Sequence, residues 1–191
     1  MITGGNRGLG QHLATAFGGD SFSRSNGFDI TKVRSRIAAE SLAYDVFVNN
    51  AFDGPFQESW ADFAQTKLLY EVADLWKNQN KTGWIINIGS SGSESVVPPN
   101  PAWETYRVNK AALKHHSQQW TQAFKQGQVQ FRTSLITVDR LDTPLSRSRD
   151  TWTGNGIALG DVADMIRLCL GVGSNTCIEE ITAWVALNHK Q

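Results

Sequence analysis

The first ten residues read MITGGNRGLG (Met1 to Gly10), with glycines at positions 4, 5, 8 and 10 and only Met1-Ile2-Thr3 before them. Glycine permits positive φ, and without a Cβ it lets backbone amides come close to a bound group. The residues that follow, GLGQHLATAF (8–17), place Leu9, Leu13 and Phe17 four apart, the spacing of one helix face. A strand, a glycine turn and a helix start make an anion cradle, where free N–H groups meet the positive end of the helix dipole. The spacing GxxxGxG matches neither GxGxxG nor a phosphate loop ending in Gly-Lys-Ser/Thr. Taken alone, the loop reads as well for a tight structural turn as for a phosphate site. Its neighbours decide between the two.

Outward from the loop, strand-like and helical runs alternate. DSFSRS (20–25) reads as a weak strand and GFDIT (27–31) as a turn leading into a strand. KVRSRIAAESLA (32–43) is helical, with Val33, Ile37 and Leu42 near one face, and YDVFVNNA (44–51) is a strand with a polar end. From Trp60 to Trp76 the apolar residues Phe63, Leu68, Val72 and Leu75 mark a helix. GWIINIGSS (83–91) is a buried strand ending in small polar residues. Pro98 to Pro101 excludes helix, and a long helix is predicted from Trp103 to Phe124. VQFRTSLITV (129–138) is a strand, GDVADMIRLCLG (160–171) a helix with Asp161 as its N-cap, and CIEEITAWV (177–185) a last strand. Such alternation predicts an α/β fold, a doubly wound parallel sheet covered on both faces. Ligands of such sheets bind beyond the carboxyl ends of the strands.

The chain has 191 residues and neither repeat nor linker, so residues 1–191 read as a single domain. Eighteen lysines and arginines balance eighteen acids, which leaves no net basic field for nucleic acid or anionic lipid. No charged start leads into an apolar signal segment, and the apolar tract from Ile157 to Val172 is broken by Asp161, Asp164 and Arg167. The expectation is a cytoplasmic protein with two buried thiols, Cys169 and Cys177. His115 and His116 read as helix-surface residues, and no metal ligand set is predicted.

Four motifs lie where the fold would bring them together: the glycine loop, NNA (49–51), NIGSS (87–91) and Tyr106-Arg107-Val108-Asn109-Lys110. In that order and spacing, and over nearly the whole chain, they resemble the short-chain dehydrogenase/reductase family. The resemblance implies a Rossmann-like fold and an NADP(H) or NAD(H) cofactor held by Thr3, Gly4, Asn6, Arg7, Gly8, Leu9 and Gly10. Asn50 and Ala51 match the strand end that lines the cofactor, Asp29 the residue that contacts adenine, and Thr143 the one that holds the nicotinamide carboxamide. Phe52 replaces the family's glycine and is expected to narrow the space beside the adenosine ribose. No acid ends the second strand; Arg7 and Arg24 stand instead where a 2′-phosphate would be bound, so NADP(H) is expected over NAD(H).

For the chemistry, Tyr106 and Lys110 are i, i+4 and share a helix face. A tyrosine near its ordinary pKa of about 10 is a poor base at neutral pH. A neighbouring ammonium, together with the positive nicotinamide of the oxidised cofactor, is expected to lower that value. By resemblance, Tyr106 gives or takes the substrate proton and Ser90, with Ser91 as its rival, hydrogen-bonds the carbonyl oxygen. Lys110 supports Tyr106 and holds the nicotinamide ribose. The implied activity is NADPH-dependent reduction of a small carbonyl compound, or the reverse alcohol oxidation. A reductase of a pterin or enoyl-like substrate and an inactive NADP(H)-binding sensor remain open.

This sequence departs from the family in several places. Counting from Trp60 puts Lys67 at the usual helix asparagine, either as a plain helix residue paired with Glu71 or as a change to the proton relay; Val138-Asp139 replaces a Pro-Gly, while Asp142-Thr143-Pro144 keeps the later part. The substrate loop is placed at about 144–160, with Trp152 and Gly154 as the edge of a mobile flap. The first strand is short, and only Asn26 and Gly27 part FSRS from FDIT, so the helix between the second and third strands is missing. Family members pair through their two long helices; a homodimer or homotetramer through Trp60–Trp76 and Trp103–Phe124 follows as the expectation.

Overall fold

Trp84, Ile85, Ile86 and Ile88 are apolar on both sides of the chain, and the strand they form, β4 (Gly83–Ile88), is buried on both faces. It lies inside a six-stranded sheet of order β2-β1-β3-β4-β5-β6, in which every neighbouring pair is parallel. The other strands are β1 (Ile2–Thr3), β2 (Ser21–Phe22), β3 (Val46–Asn49), β5 (Phe131–Val138) and β6 (Glu180–Ala183). The helices are α1 (Gly8–Phe17), α2 (Arg34–Ser41), α3 (Ala64–Asn78), α4 (Pro101–Lys125), the single turn α5 (Pro144–Arg147) and α6 (Leu159–Gly171). Residues 1–52, 63–94, 101–149, 152 and 154–186 are described in the computed structural model, 101–103 as backbone only.

Strand alternation sorts the core into two layers. Phe47, Ile85 and Phe131 face Ile37, Leu68, Val72, Trp76 and Leu113 of α2, α3 and α4. Val48, Trp84, Ile86 and Ile136 face Leu9 and Leu13 of α1 and Val162 and Ile166 of α6. The two buried tryptophans keep their indole donors satisfied: Trp76 donates to Ser41 Oγ at 2.8 Å and Trp84 to Ser134 Oγ at 2.9 Å. The chain leaves β1 toward β2 and returns on its other side as β3. That reversal opens a crevice at the carboxyl ends of β1 and β3, and the glycine loop and NNA lie there.

Several expectations are corrected. GFDIT forms no strand, because the Asp29 carboxylate accepts the Thr31 N–H at 2.9 Å and the Thr31 hydroxyl at 2.7 Å, closing a side-chain turn into α2. The edge of the sheet is therefore β2. A 3-10 turn (Arg24–Asn26) and no α-helix stands between Phe22 and Phe28, but with GFDIT not a strand the third strand is β3, and α2 lies between it and β2, where a helix was expected to be missing. The first strand is indeed two residues long. The long helix begins at Pro101, because proline lacks only an N–H that the first helical turn leaves unpaired anyway. Ala158, rather than Asp161, caps α6, and Asp161 lies in its first turn. Trp60 lies outside the described residues, and the helix expected from it is described from Ala64. Cys169 is buried but Cys177 only partly so, its thiol donating to the Thr133 carbonyl at 3.3 Å. Among the described residues no helix is long and apolar enough to cross a membrane.

Candidate active site

The glycine loop is built by its packing against NNA. Gly4 and Gly8 take positive φ (69° and 55°), a region that other residues rarely enter. A Cβ on Gly10 would sit 2.2 Å from the Gly4 carbonyl oxygen and 2.7 Å from Asn50 Nδ2, so only glycine lets α1 approach β1. The buried Thr3 hydroxyl accepts the N–H groups of Asn50 and Ala51, each at 3.0 Å, and Asn50 Nδ2 donates to the Thr3 carbonyl at 2.9 Å. Thr3, Gly4, Gly10, Asn50 and Ala51 thus interlock and shape the crevice wall. Leu9 sends its side chain into the core, which leaves its backbone alone to face a ligand. Arg7 is the N-cap of α1, and its side chain makes no capping bond to the first N–H groups of the helix. Beside Gly8, a cleft of about 380 Å³ is lined by Gln11, His12, Thr15, Pro144 and Leu159.

Beyond the end of β2, Arg24 and Asp29, expected as separate contacts, are paired with each other at 3.0 Å. The Asp29 carboxyl lies below the usual range: against a burial penalty, the Thr31 N–H and hydroxyl prevail, helped by Arg24. Asn6 Nδ2 donates to Ser25 Oγ at 2.9 Å, tying the loop to the end of β2. Thr143 caps α5, its hydroxyl accepting the Ser146 N–H at 3.1 Å, and its methyl lies 4.0 Å from the position of a Cβ on Gly8. The loop after β5 is tied at its ends, Ile157 N–H to the Arg140 carbonyl at 2.8 Å and Asp142 N–H to the Ile157 carbonyl at 2.9 Å. Trp152 packs close to Gly156 within it, while residues 150, 151 and 153 lie outside the described ones.

Ser90 and Ser91 part ways. The Ser91 hydroxyl donates to the Asp139 carboxylate at 3.0 Å, which gives Asp139 a structural task. Ser90 caps the 3-10 turn Ser91–Ser93, accepts the Gly92 N–H at 3.2 Å and shares a hydrogen bond with the Tyr106 hydroxyl. Burial pushes the Tyr106 phenol above the usual tyrosine value, and the Ser90 hydrogen bond and the Arg149 charge only partly oppose it. The part of the expected lowering assigned to Lys110 is not found. Lys110 Nζ lies 5.8 Å from the Tyr106 ring centre and is bonded elsewhere, to the Ile88 carbonyl at 2.9 Å and to Gln65 Oε1 at 2.8 Å. Burial brings Lys110 down to about 7.

The Phe52 ring meets Tyr106 edge-on, centres 5.1 Å apart, and lies 5.2 Å from Lys110 Nζ. Lys67 is exposed on α3, and Glu71 takes Arg34 at 2.9 Å and Ser35 at 2.8 Å. The α3 residue that reaches the site is Gln65, which the sequence reading missed. A signal was there: Gln65, Leu69, Val72 and Trp76 lie on one buried stripe, and Gln65 is its polar member.

No family model and no curated protein matches the sequence. Solved structures do match the fold. A short-chain dehydrogenase from Burkholderia cenocepacia in complex with NADP aligns with a TM-score of 0.73 at 21% identity, over 95% of this chain and 85% of that one. A metagenomic short-chain oxidoreductase, also in complex with NADP, gives 0.66 at 21% identity over 97% and 96% of the two chains. A betaketoacyl-[ACP] reductase from Bacteroides thetaiotaomicron gives 0.67 at 19% identity over 95% and 94%. The parallel sheet, the glycine turn at its switch point and these alignments agree: the chain has the fold of the short-chain dehydrogenases/reductases.

Proposed function

We propose that the protein is an NADP(H)-dependent oxidoreductase that reduces a small carbonyl compound to its alcohol, or runs the reverse reaction. The observation that carries this reading is the convergence of Ser90, Tyr106 and Lys110 at the end of β4, with Tyr106 hydrogen-bonded to Ser90 and both Tyr106 and Lys110 on one face of α4. The crevice fits a dinucleotide. A Cβ on Gly8 would meet nothing nearer than 4.0 Å, so the backbone at the start of α1 is open to a pyrophosphate. The Gly4–Gly10 backbone would hold the phosphates, Arg7 and Arg24 the 2′-phosphate, Asp29 the adenine, Asn50 and Ala51 the adenosine side, Lys110 the nicotinamide ribose and Thr143 the carboxamide. NADP bound to two of the structural neighbours supports the same cofactor.

When bound, NADPH supplies hydride to the carbonyl carbon. Tyr106 donates its proton to the carbonyl oxygen; a phenol held protonated by burial is the right form for a donor. Ser90 hydrogen-bonds that oxygen as negative charge develops. Lys110, when charged, favours the phenolate left behind. A second reading, an inactive NADP(H)-binding sensor, draws on Phe52 lying against Tyr106 and Lys110. NADPH consumption across a panel of ketones, aldehydes and dicarbonyls separates the two: turnover excludes the sensor, and cofactor binding without turnover excludes the enzyme.

The cofactor preference has its own test. Arg24→Ala is expected to weaken NADPH binding about tenfold and NADH binding by less than about twofold, as loss of one charge-assisted contact to a phosphate requires. Equal losses for both cofactors would reject the 2′-phosphate role. The assembly proposed for the chain is a homodimer or homotetramer through α3 and α4. Tyr70 of α3 is 55% exposed and stacks on His116 of α4 at 5.8 Å, with Trp120 one turn on. Light scattering at micromolar concentration should give two or four chains per particle; a monomer rejects the assembly.

A further inference from the structure

Gln65 is the second residue of α3, and its side chain points into the sheet's carboxyl edge. Its amide nitrogen donates to the Asn49 carbonyl at the end of β3 (2.8 Å) and to the Ile88 carbonyl at the end of β4 (3.3 Å). Its amide oxygen accepts from Lys110 Nζ at 2.8 Å. Turning the amide over would set an NH2 against an ammonium and an oxygen against two carbonyls, so only this orientation satisfies every partner. The Gln65 backbone carbonyl is fixed in turn by Asn49 Nδ2 at 3.1 Å, which also reaches Asn87 Oδ1 at 3.0 Å. Asn87 Nδ2 then donates to Ser117 Oγ of α4 at 3.2 Å. The mesh closes on the helix that carries Lys110.

We propose that Gln65 is a positioning residue of the site, the neutral anchor that holds Lys110 Nζ against the end of β4 and sets the terms on which Lys110 serves Tyr106. The contact stands on the geometry; its catalytic consequence rests on the oxidoreductase reading above. An ammonium has three N–H donors. Gln65 Oε1 and the Ile88 carbonyl take two of them.

Among the described residues, no negative charge offsets that of Lys110. On α4 itself, Tyr106 lies one turn before it, and Lys114 one turn after it, bound to Glu94 at 2.6 Å and Glu180 at 3.0 Å. α3 presents Gln65, the ends of β3 and β4 present Asn49, Asn87 and the Ile88 carbonyl, and the NNA segment presents the Phe52 ring. Arg149 acts on Tyr106. Among the described residues no carboxylate bonds Lys110. Buried beside neutral oxygens alone, Lys110 sits at about 7. Its charge is present below neutral pH and is lost as pH rises through that value.

A carboxylate at position 65 would stabilise the ammonium and carry the charged form to higher pH; an apolar side chain would remove an acceptor and carry it lower. The test is a pH titration of Lys110 by NMR in protein labelled with ¹³C at lysine Cε, the resonance assigned with Lys110→Arg. Gln65→Glu, nearly isosteric, is expected to raise the Lys110 midpoint by about one to two pH units, and Gln65→Met to lower it. Circular dichroism identifies any variant that fails to fold, and the glutamate variant then suffices. Under the oxidoreductase reading, the pH profile of kcat in Gln65→Glu moves the same way, with KM for the carbonyl substrate changing less than about threefold. An unmoved midpoint in folded Gln65→Glu overturns the anchor, even if the protein turns over carbonyl compounds. A midpoint that moves in a protein with no turnover upholds the anchor and rejects the oxidoreductase reading alone.

Discussion

Tyr106→Phe is expected to lower turnover by roughly 10²–10⁴-fold, the range for removal of a positioned general acid, if Tyr106 is the proton donor proposed above. The substitution deletes one oxygen and little else. The phenylalanine ring keeps the edge-on packing with Phe52 and the place on α4, and Ser90 retains its bond from the Gly92 N–H. What is lost is the proton held ready beside Ser90. Burial raises the phenol above the usual tyrosine value, so the donor form persists through neutral pH and the defect should not be rescued by acid in that range. Three measurements define the result: single-turnover oxidation of saturating NADPH, a cofactor titration and a thermal melt. Affinity within about twofold and an unchanged melt would assign the loss to the chemical step. More than a tenth of the wild-type rate would remove Tyr106 from the role of proton donor.

Gly10→Ala should be the most damaging single methyl in the crevice. The added Cβ would lie 2.2 Å from the Gly4 oxygen, 2.8 Å from the Gly4 carbonyl carbon and 2.7 Å from Asn50 Nδ2. None of these can step aside cheaply. Gly4 is held by its N–H bond to the Phe22 carbonyl at 2.7 Å, and Asn50 Nδ2 is committed to the Thr3 carbonyl. Relief requires α1 to lift away from β1, which opens the layer containing Leu9 and Leu13. Overpacking of this kind costs about 3 kcal/mol, read as a lower urea midpoint, and NADPH affinity should fall more than about tenfold with the displaced helix start. Gly160→Ala serves as the control, since a Cβ there meets nothing within 4 Å. If Gly10→Ala folds and binds NADPH like the control, the close approach of α1 and β1 is not what shapes the cradle.

The strands that were legible in the sequence are those whose burial is written in their own residues. β4 carries Trp84, Ile85, Ile86 and Ile88 on its two faces, β5 carries Phe131, Leu135, Ile136 and Val138, and α1 and α3 carry their apolar stripe at helical spacing. FDIT shows where local pattern fails. Phe28 and Ile30 alternate with polar residues as a strand would, yet Phe28 packs on Phe22 with ring centres 4.4 Å apart and Ile30 is buried in the same core from a turn. The Asp29 side chain supplies that turn with local hydrogen bonds, which compete with pairing along the open edge of β2.

Sequence by itself determined the alternation of strands and helices, the glycine turn ahead of α1, and the placing of Tyr106 and Lys110 on one helix face. These follow from spacing within a few residues. Tertiary structure alone decided that Ser90 meets Tyr106, that Asp139 holds Ser91, that Phe52 lies against Tyr106 and Lys110, and that Gln65 of α3 reaches Lys110. Each of these joins residues of different elements, from Ser91 and Asp139 to Gln65 and Lys110, which are 48 and 45 positions apart. A buried polar atom takes whatever partner the packing brings within about 3 Å, and packing is set by the whole sheet, so no local spacing can name that partner.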